Sequence, residues 1–314
     1  MSVEIKKEIP PLNKEPIQKA SPSTRREERY FWLFISPWVV GFTLFIGGPM
    51  LASLYFSFTD YSILSAINFV GIQNFMNLFQ DPIFYRSLFV TFAYAALAVP
   101  FTMILGLSLA LLLNANIKGQ AFFRTFFYAP SIISGVSVAF LWMWILNPQF
   151  GIVNSFLYNT FGITGPGWFT DPLTVIPSFA LMQLTAVGGT MIIFLASLQQ
   201  LPKELYESAA IDGANMWARF RKITVPLISP VILFNGIIAL ISSFQIFTQA
   251  YVITDGGPDW MSYFYVYYLF ETAFFQNRIG YASAQAWILF LIIFVLTFLS
   301  LYVSRKSVHY EYDK

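Results

Sequence analysis

The residue types that ordinarily carry covalent chemistry are almost missing from this chain of 314 residues. It has no Cys, and its one His is His309. That removes disulfide frameworks, thiolate nucleophiles, Cys/His zinc sites and His-based acid–base pairs. Asp60, Asp81, Asp171, Asp255, Asp259 and Glu271 are spread over three loops, with no carboxylate pair and no metal-ligand spacing. They read as solvated loop charges or as contacts to a partner. The most informative spacing lies in residues 201–226. Pro202 suits a first helical position, and Glu204 falls in the first turn, where the helix dipole favours an anion. Leu205 with Ala209, and Tyr206 with Ala210, are i,i+4 pairs that make an apolar stripe. Gly213 ends the helix, where a positive φ is often required, and residues 215–222 form a second short helical stretch. A helix–Gly–helix hairpin of this shape can enter a groove on another protein. The alternative is an interfacial amphipathic loop lying among headgroups.

The elements around these residues follow from composition. The apolar class makes up 57% of the chain, aromatics 19% and charged residues 11%, with a mean hydropathy of +0.62. Soluble domains carry about 25% charged residues, so a single water-soluble globule is excluded. A net charge of +2 is too small to suggest nucleic acid. Six apolar segments lie near 31–58, 87–113, 121–146, 173–198, 223–253 and 281–304. Each reaches the roughly 20 residues needed to cross the hydrocarbon. Lipid-exposed backbone must satisfy its own hydrogen bonds, and the alternating pattern of a barrel is absent, so the segments are helices. The fold class is an all-α polytopic membrane protein with six transmembrane helices. Residues 1–30 are polar and hold no apolar h-region, so they read as a disordered N-terminal tail and not as a cleaved signal; residues 305–314 form a second tail.

Lys and Arg set the orientation. Seven lie in the first tail, Lys118 and Arg124 between spans two and three, Lys203, Arg219, Arg221 and Lys222 between four and five, and Arg305, Lys306 and Lys314 at the end. Only Arg86 and Arg278 fall on the other side, so both termini are expected to be cytoplasmic. Pro37, Pro49, Pro100, Pro130, Pro177, Pro226 and Pro230 interrupt the spans. They fit kinked helices around a cavity, or ordinary membrane tolerance of proline. The Gly188-Gly189 pair would let another backbone come close. Span interiors carry no ionisable side chain, so any transport energy is expected to enter elsewhere.

The pattern Glu207-x-Ala209-x3-Gly213-x9-Ile223-x2-Pro226 resembles the EAA loop of binding-protein-dependent ABC importer permeases, with Ser208 where that family often has Ala. Supporting stretches are Phe-Val-Gly-Ile-Gln-Asn-Phe at 69–75, Phe-Phe-Arg-Thr-Phe-Phe at 122–127, Asn-Pro-Gln-Phe-Gly at 147–151, Leu-Pro-Lys-Glu-Leu-Tyr at 201–206, Thr-Asp-Gly-Gly-Pro at 254–258 and Gly-Tyr-Ala-Ser-Ala at 280–284. The resemblance covers about residues 31–304. It is strongest to the sugar-permease branch that contains maltose and glycerol-phosphate importer subunits.

The resemblance implies a type I ABC importer permease fold over 31–304 in a bacterial or archaeal cytoplasmic membrane. It makes loop 201–222 a coupling helix that docks on a cytoplasmic ATPase, with Glu207, Ser208, Ala209, Ala210, Asp212 and Gly213 at its core. The implied partners are a second homologous permease, two ABC ATPase subunits and an extracytoplasmic solute-binding protein. This chain has no Gly-x4-Gly-Lys-Ser/Thr loop, so ATP and Mg belong to the ATPases, and the chain is expected to be non-catalytic with no cofactor of its own. The solute, most naturally an oligosaccharide, would pass at mid-depth. The pathway candidates are Ser131, Ser134 and Gly135, then Gln183, Thr185, Ala186 and Gly189, then Ser242, Ser243, Gln245, Thr248, Gln249 and Tyr251. Neutral amides and hydroxyls suit sugar hydroxyls, and Trp142, Trp144, Phe244, Phe247 and Tyr251 could stack on sugar rings. Interhelical hydrogen bonds of about 0.6 kcal/mol are the competing role for each polar residue. The Tyr/Phe run at 263–275 reads as an interfacial belt or re-entrant segment. Alternative functions are import of glycerol 3-phosphate or another polyol, a self-sufficient carrier or channel, and a non-transporting scaffold.

Overall fold

A computed structural model describes residues 22–63, 66–115 and 118–304. In chain order the helices are α1 (Pro22–Phe42), α2 (Gly48–Phe56), α3 (Gln73–Gln80), α4 (Pro82–Asn114), α5 (Gln120–Tyr128), α6 (Gly135–Ile145), α7 (Ile152–Phe161), α8 (Val175–Leu181), α9 (Gln183–Gln199), α10 (Lys203–Ile211), α11 (Met216–Arg219), α12 (Val225–Leu227), α13 (Ser229–Phe244), α14 (Thr248–Ile253), α15 (Tyr265–Phe270) and α16 (Ile279–Ser304). Among the described residues the only β pairing is an isolated bridge between Thr59 and Phe69. The chain divides into two units, Met1–Ser53 and Leu54–Lys314. In the first, α1 begins at Pro22, ahead of the expected residue 31, so the last part of the supposed disordered tail is helical. The rest of that tail, and the one at 305–314, lie outside the described residues.

Among the described residues four helices are long and apolar enough to cross a membrane: Arg29–Phe56, Pro82–Asn114, Ser229–Ile253 and Ile279–Ser304. Two bent pairs raise the number to six if each pair is one span. The first pair joins Gln120–Ile132 to Gly135–Ile145 at 102°, so the segment read as the third span is sharply broken at residues 133–134, just after the turn that holds Pro130. The second joins α8 to α9 at 41°. By contrast, Pro100 is carried inside α4 without interruption. α4 starts earlier than its apolar run because Asp81 caps it, accepting from the Ile83 amide at 2.9 Å, with Pro82 at the first helical position.

The second unit is built around α4, which packs along α9, α13 and α8. One apolar core gathers Tyr94, Trp142, Phe179, Phe244 and Phe264. A smaller one, toward the end that bears α10, joins Ala110 and Leu113 of α4 to Met191, Phe194 and Leu198 of α9. Gly188 permits the end of α5 to lie on α9, since a Cβ there would stand 2.5 Å from the Phe127 carbonyl oxygen. Gly189 faces open space, so only one glycine of the pair serves close approach.

Candidate functional site

Three chain interruptions meet at one cavity of about 300 Å³. The first is the turn 129–134 between α5 and α6; the second is Met182 between α8 and α9; the third is the non-helical stretch 245–247 between α13 and α14. Broken backbone at such depth is tolerated where it is buried in protein or lines a cavity. The lining includes Ser131 and Gly135 from the first break, Gln183, Thr185 and Ala186 from the second, and Ser242, Gln245 and Gln249 from the third. No Lys, Arg, Asp or Glu is among the lining residues.

The polar groups divide into tied and open ones. Gln183 Nε2 donates to Tyr94 Oη at 2.6 Å, which holds one edge of the site. Ser131 and Thr185 each give their hydroxyl hydrogen to a carbonyl three residues back, Tyr128 and Met182, at 2.6 Å. Their lone pairs remain for a ligand. The side chains of Ser242, Gln245 and Gln249 make no hydrogen bond among the described residues. Such an arrangement offers neutral amide and hydroxyl donors and acceptors to an occupant.

Five of the thirteen pathway candidates do not line the cavity. Ser134 is exposed at the start of α6. Gly189 follows the lining residues Thr185 and Ala186 by one helical turn but is not itself in the lining, and a Cβ there would meet nothing within 4 Å. Ser243 is buried and donates to the Leu240 carbonyl at 2.8 Å. Thr248 stands beside Gly135, behind the wall. Tyr251 stacks on Phe247, with ring centroids 5.6 Å apart, and also meets Phe270. Of the other candidate stacking rings, Trp142 and Phe244 are buried in the core and Trp144 is exposed. The aromatic rings at the cavity are Tyr94 and Phe179, which sequence reasoning missed along with Met182 and Ile246. Tyr94 was findable as a phenol inside an apolar run; Met182 and Ile246 carry no such signal.

The hairpin has the expected form, shifted by a residue at its start: Pro202 is the cap and α10 begins at Lys203. Its end is a Schellman motif, in which the Ala214 amide donates to the Ala209 carbonyl (2.9 Å) and the Gly213 amide to the Ala210 carbonyl (3.1 Å). Gly213 has φ +76°. The second stretch is shorter than expected. Asn215 caps α11 by accepting from the Ala218 amide at 2.8 Å, and after Arg219 the chain widens into a π turn, Phe220–Thr224. Tyr206 Oη lies 2.9 Å from Thr224 Oγ1 and ties α10 to that turn. Glu207, Ser208, Ala210, Asp212 and Gly213 are exposed, and Ala209 is half-buried. Ile211, Met216 and Trp217 are also exposed, which makes the hairpin an apolar knob.

The Tyr/Phe run at 263–275 is divided: its first half, 263–268, is largely buried and not a surface belt, whereas Phe274 and Phe275 are exposed. Tyr263, Phe264, Tyr265, Tyr267 and Tyr268 are buried; the Tyr265 hydroxyl donates to the Gln285 carbonyl at 2.9 Å, and the other three hydroxyls donate to loop carboxylates. Tyr263 donates to Glu271, Tyr267 to Asp255 at 2.7 Å, and Tyr268 to Asp81, which also accepts from Tyr281 at 3.1 Å. Burial first, and the carboxylate partner second, push the phenols of Tyr263, Tyr267 and Tyr268 above their ordinary range. Three of the acids read as solvated are therefore structural acceptors. Asp60 is local as well: the Asn68 amide, at 2.9 Å, is the main cause of its lowered pKa.

Residues 102–308 match the family described as "Binding-protein-dependent transport system inner membrane component". The relative named "Probable ABC transporter permease protein YesP", from Bacillus subtilis (strain 168), is 39% identical over 297 residues, covering 93% of this chain and 96% of the relative. The "Probable starch degradation products transport system permease protein AmyD" of Thermoanaerobacterium thermosulfurigenes is 31% identical, covering 88% and 94%. The fold matches a chain in the crystal structure of a bacterial alginate ABC transporter in complex with an alginate pentasaccharide-bound periplasmic protein. The TM-score is 0.79 at 24% identity, covering 90% of this chain and 96% of that one. With a family match over most of its length and a relative of near-equal extent, this chain belongs to the inner membrane components of binding-protein-dependent transport systems, the permeases of ABC transporters.

Proposed function

We propose that this chain is the permease subunit of an ATP-driven importer for a neutral carbohydrate, an oligosaccharide by preference. The observation that carries the reading is the cavity at the three helix breaks, whose open amides and hydroxyls match a polyhydroxylated solute and whose lining holds no charge. The uncharged lining favours a sugar over glycerol 3-phosphate, which would call for a cation. The starch-product permease relative supports the same class of solute. On this reading both termini are cytoplasmic, and the knob formed by Glu207 through Gly213 docks in a cleft of a separate ATPase, where ATP and Mg are bound. A second permease completes the pathway and a solute-binding protein delivers the sugar. ATP binding draws the hairpins together and shifts the permease between inward- and outward-facing packings, a bias on a two-state equilibrium.

The test is uptake of a labelled maltooligosaccharide into proteoliposomes that hold the whole assembly with its binding protein. We expect uptake that requires ATP and that falls in the order Gly213→Asn, Gly213→Ala, Gly213→Val while membrane insertion persists. A Cβ at Gly213 meets nothing within 4 Å, so the series isolates backbone strain, about 1–2 kcal/mol for an ordinary residue held left-handed. Sugar flux through this chain without ATP, or full uptake by Gly213→Val, overturns the reading.

A further inference from the structure

A second cavity, of about 780 Å³, opens between the last turns of α4 and the hairpin, apart from the proposed solute path. Leu111, Tyr206, Trp217 and Phe220 give it apolar walls, and Arg219 is the one charged residue on them. Arg219 Nε is buried with no hydrogen-bond partner among the described residues. Glu207 and Asp212, on the same hairpin, are exposed and line no wall. A mostly apolar space with a single cationic side chain on its wall and no carboxylate calls for a ligand that is apolar over most of its length and anionic at one end. Its depth agrees: Leu111 stands one turn from the end of α4, where a span leaves the hydrocarbon, and Tyr206 and Trp217 are ring types that settle at that boundary. Arg221 and Lys222 follow in the π turn and add to the positive potential.

We propose that this cavity binds one anionic phospholipid, with the phosphate on Arg219 and an acyl chain along Leu111 and Phe220. Charge complementarity and the hydrocarbon wall together select a lipid over free phosphate, which would leave the apolar part unfilled. The bond between Tyr206 and Thr224 makes the hairpin and the π turn a single wall of the site. A lipid held there fixes the stance of the hairpin against α4, so a bilayer's anionic content would set how firmly the knob is presented.

The full chain is placed in phosphatidylcholine nanodiscs with a trace of phosphatidylglycerol carrying a photoreactive acyl chain, and crosslinked peptides are mapped. Labelling should concentrate at 216–224 and around Leu111, and unlabelled phosphatidylglycerol should displace it where phosphatidylcholine and inorganic phosphate do not. Arg219→Gln should weaken that displacement about fivefold. Leu111→Trp, which fills the space, should remove the label whatever the headgroup, so the site stays testable if the arginine variant fails to insert. Arg86→Gln, far from the cavity, should change nothing. Label spread evenly along the spans, equal displacement by phosphatidylcholine, displacement by inorganic phosphate, or loss of the label when a partner ATPase is added would each overturn the proposal.

Discussion

Gln245 and Gln249 carry the recognition of solute on this account, because their amides face the cavity with no internal partner, whereas Gln183 is already held by Tyr94. Gln249→Leu or Gln245→Leu keeps the bulk and removes the polar atoms. Each should raise the sugar concentration for half-maximal uptake about three- to tenfold, the worth of one net hydrogen bond, with little change in ATPase activity at saturating sugar. Unchanged half-saturation in both variants would count against the site. The glutamines were legible in the sequence, since an amide in an apolar run stands out. Gly189 and Ser243 were not separable from their neighbours. One residue along a helix turns a side chain by about 100°, and only packing shows that Ser243 folds onto the Leu240 carbonyl while Ser242 meets the cavity.

At the scale of elements, interruption matters more than helix content. Pro130 announced a break, but its 102° angle depends on what α5 and α6 pack against. The gap at 245–247 has no proline within it, so nothing local marked it. The hairpin was readable nearly residue by residue, because Glu204, Gly213 and Asn215 do their work through local hydrogen bonds and the helix dipole. The tyrosine run misled for the opposite reason: its partners Asp81, Asp255 and Glu271 come from other parts of the chain or from across a turn. Burial raises the pKa of Tyr263, Tyr267 and Tyr268, so the folded state holds those protons more tightly than the unfolded one. Their contribution to stability is complete below the ordinary phenol pKa near 10 and is lost as pH climbs through the folded values. Phenolate absorbance during an alkaline titration in detergent should therefore show a group of tyrosines that ionise late, together with loss of structure. Ionisation of every tyrosine near pH 10 in an intact fold would contradict the network.

On the proposed function, the whole molecule is a conduit moved by a separate ATPase. Its cavity lining holds no charged residue, and its exposed hairpin has the shape of a docking knob. The fold class and the approximate extent of the four long apolar helices followed from hydropathy, because lipid leaves a helix few alternatives. The convergence of three breaks on one site did not, since it is a property of packing between segments far apart in the chain. The most direct test exploits the absence of native cysteine. Ala186→Cys places a lone thiol on the cavity wall, and Ala66→Cys places one on an exposed loop that does not line it. In the assembled transporter, modification at position 186 by a water-soluble methanethiosulfonate should be slowed by the transported sugar and should change about tenfold in rate between nucleotide-free and ATP-bound states. Position 66 should respond to neither. Equal rates at position 186 in both nucleotide states, with no protection by sugar, would contradict the account.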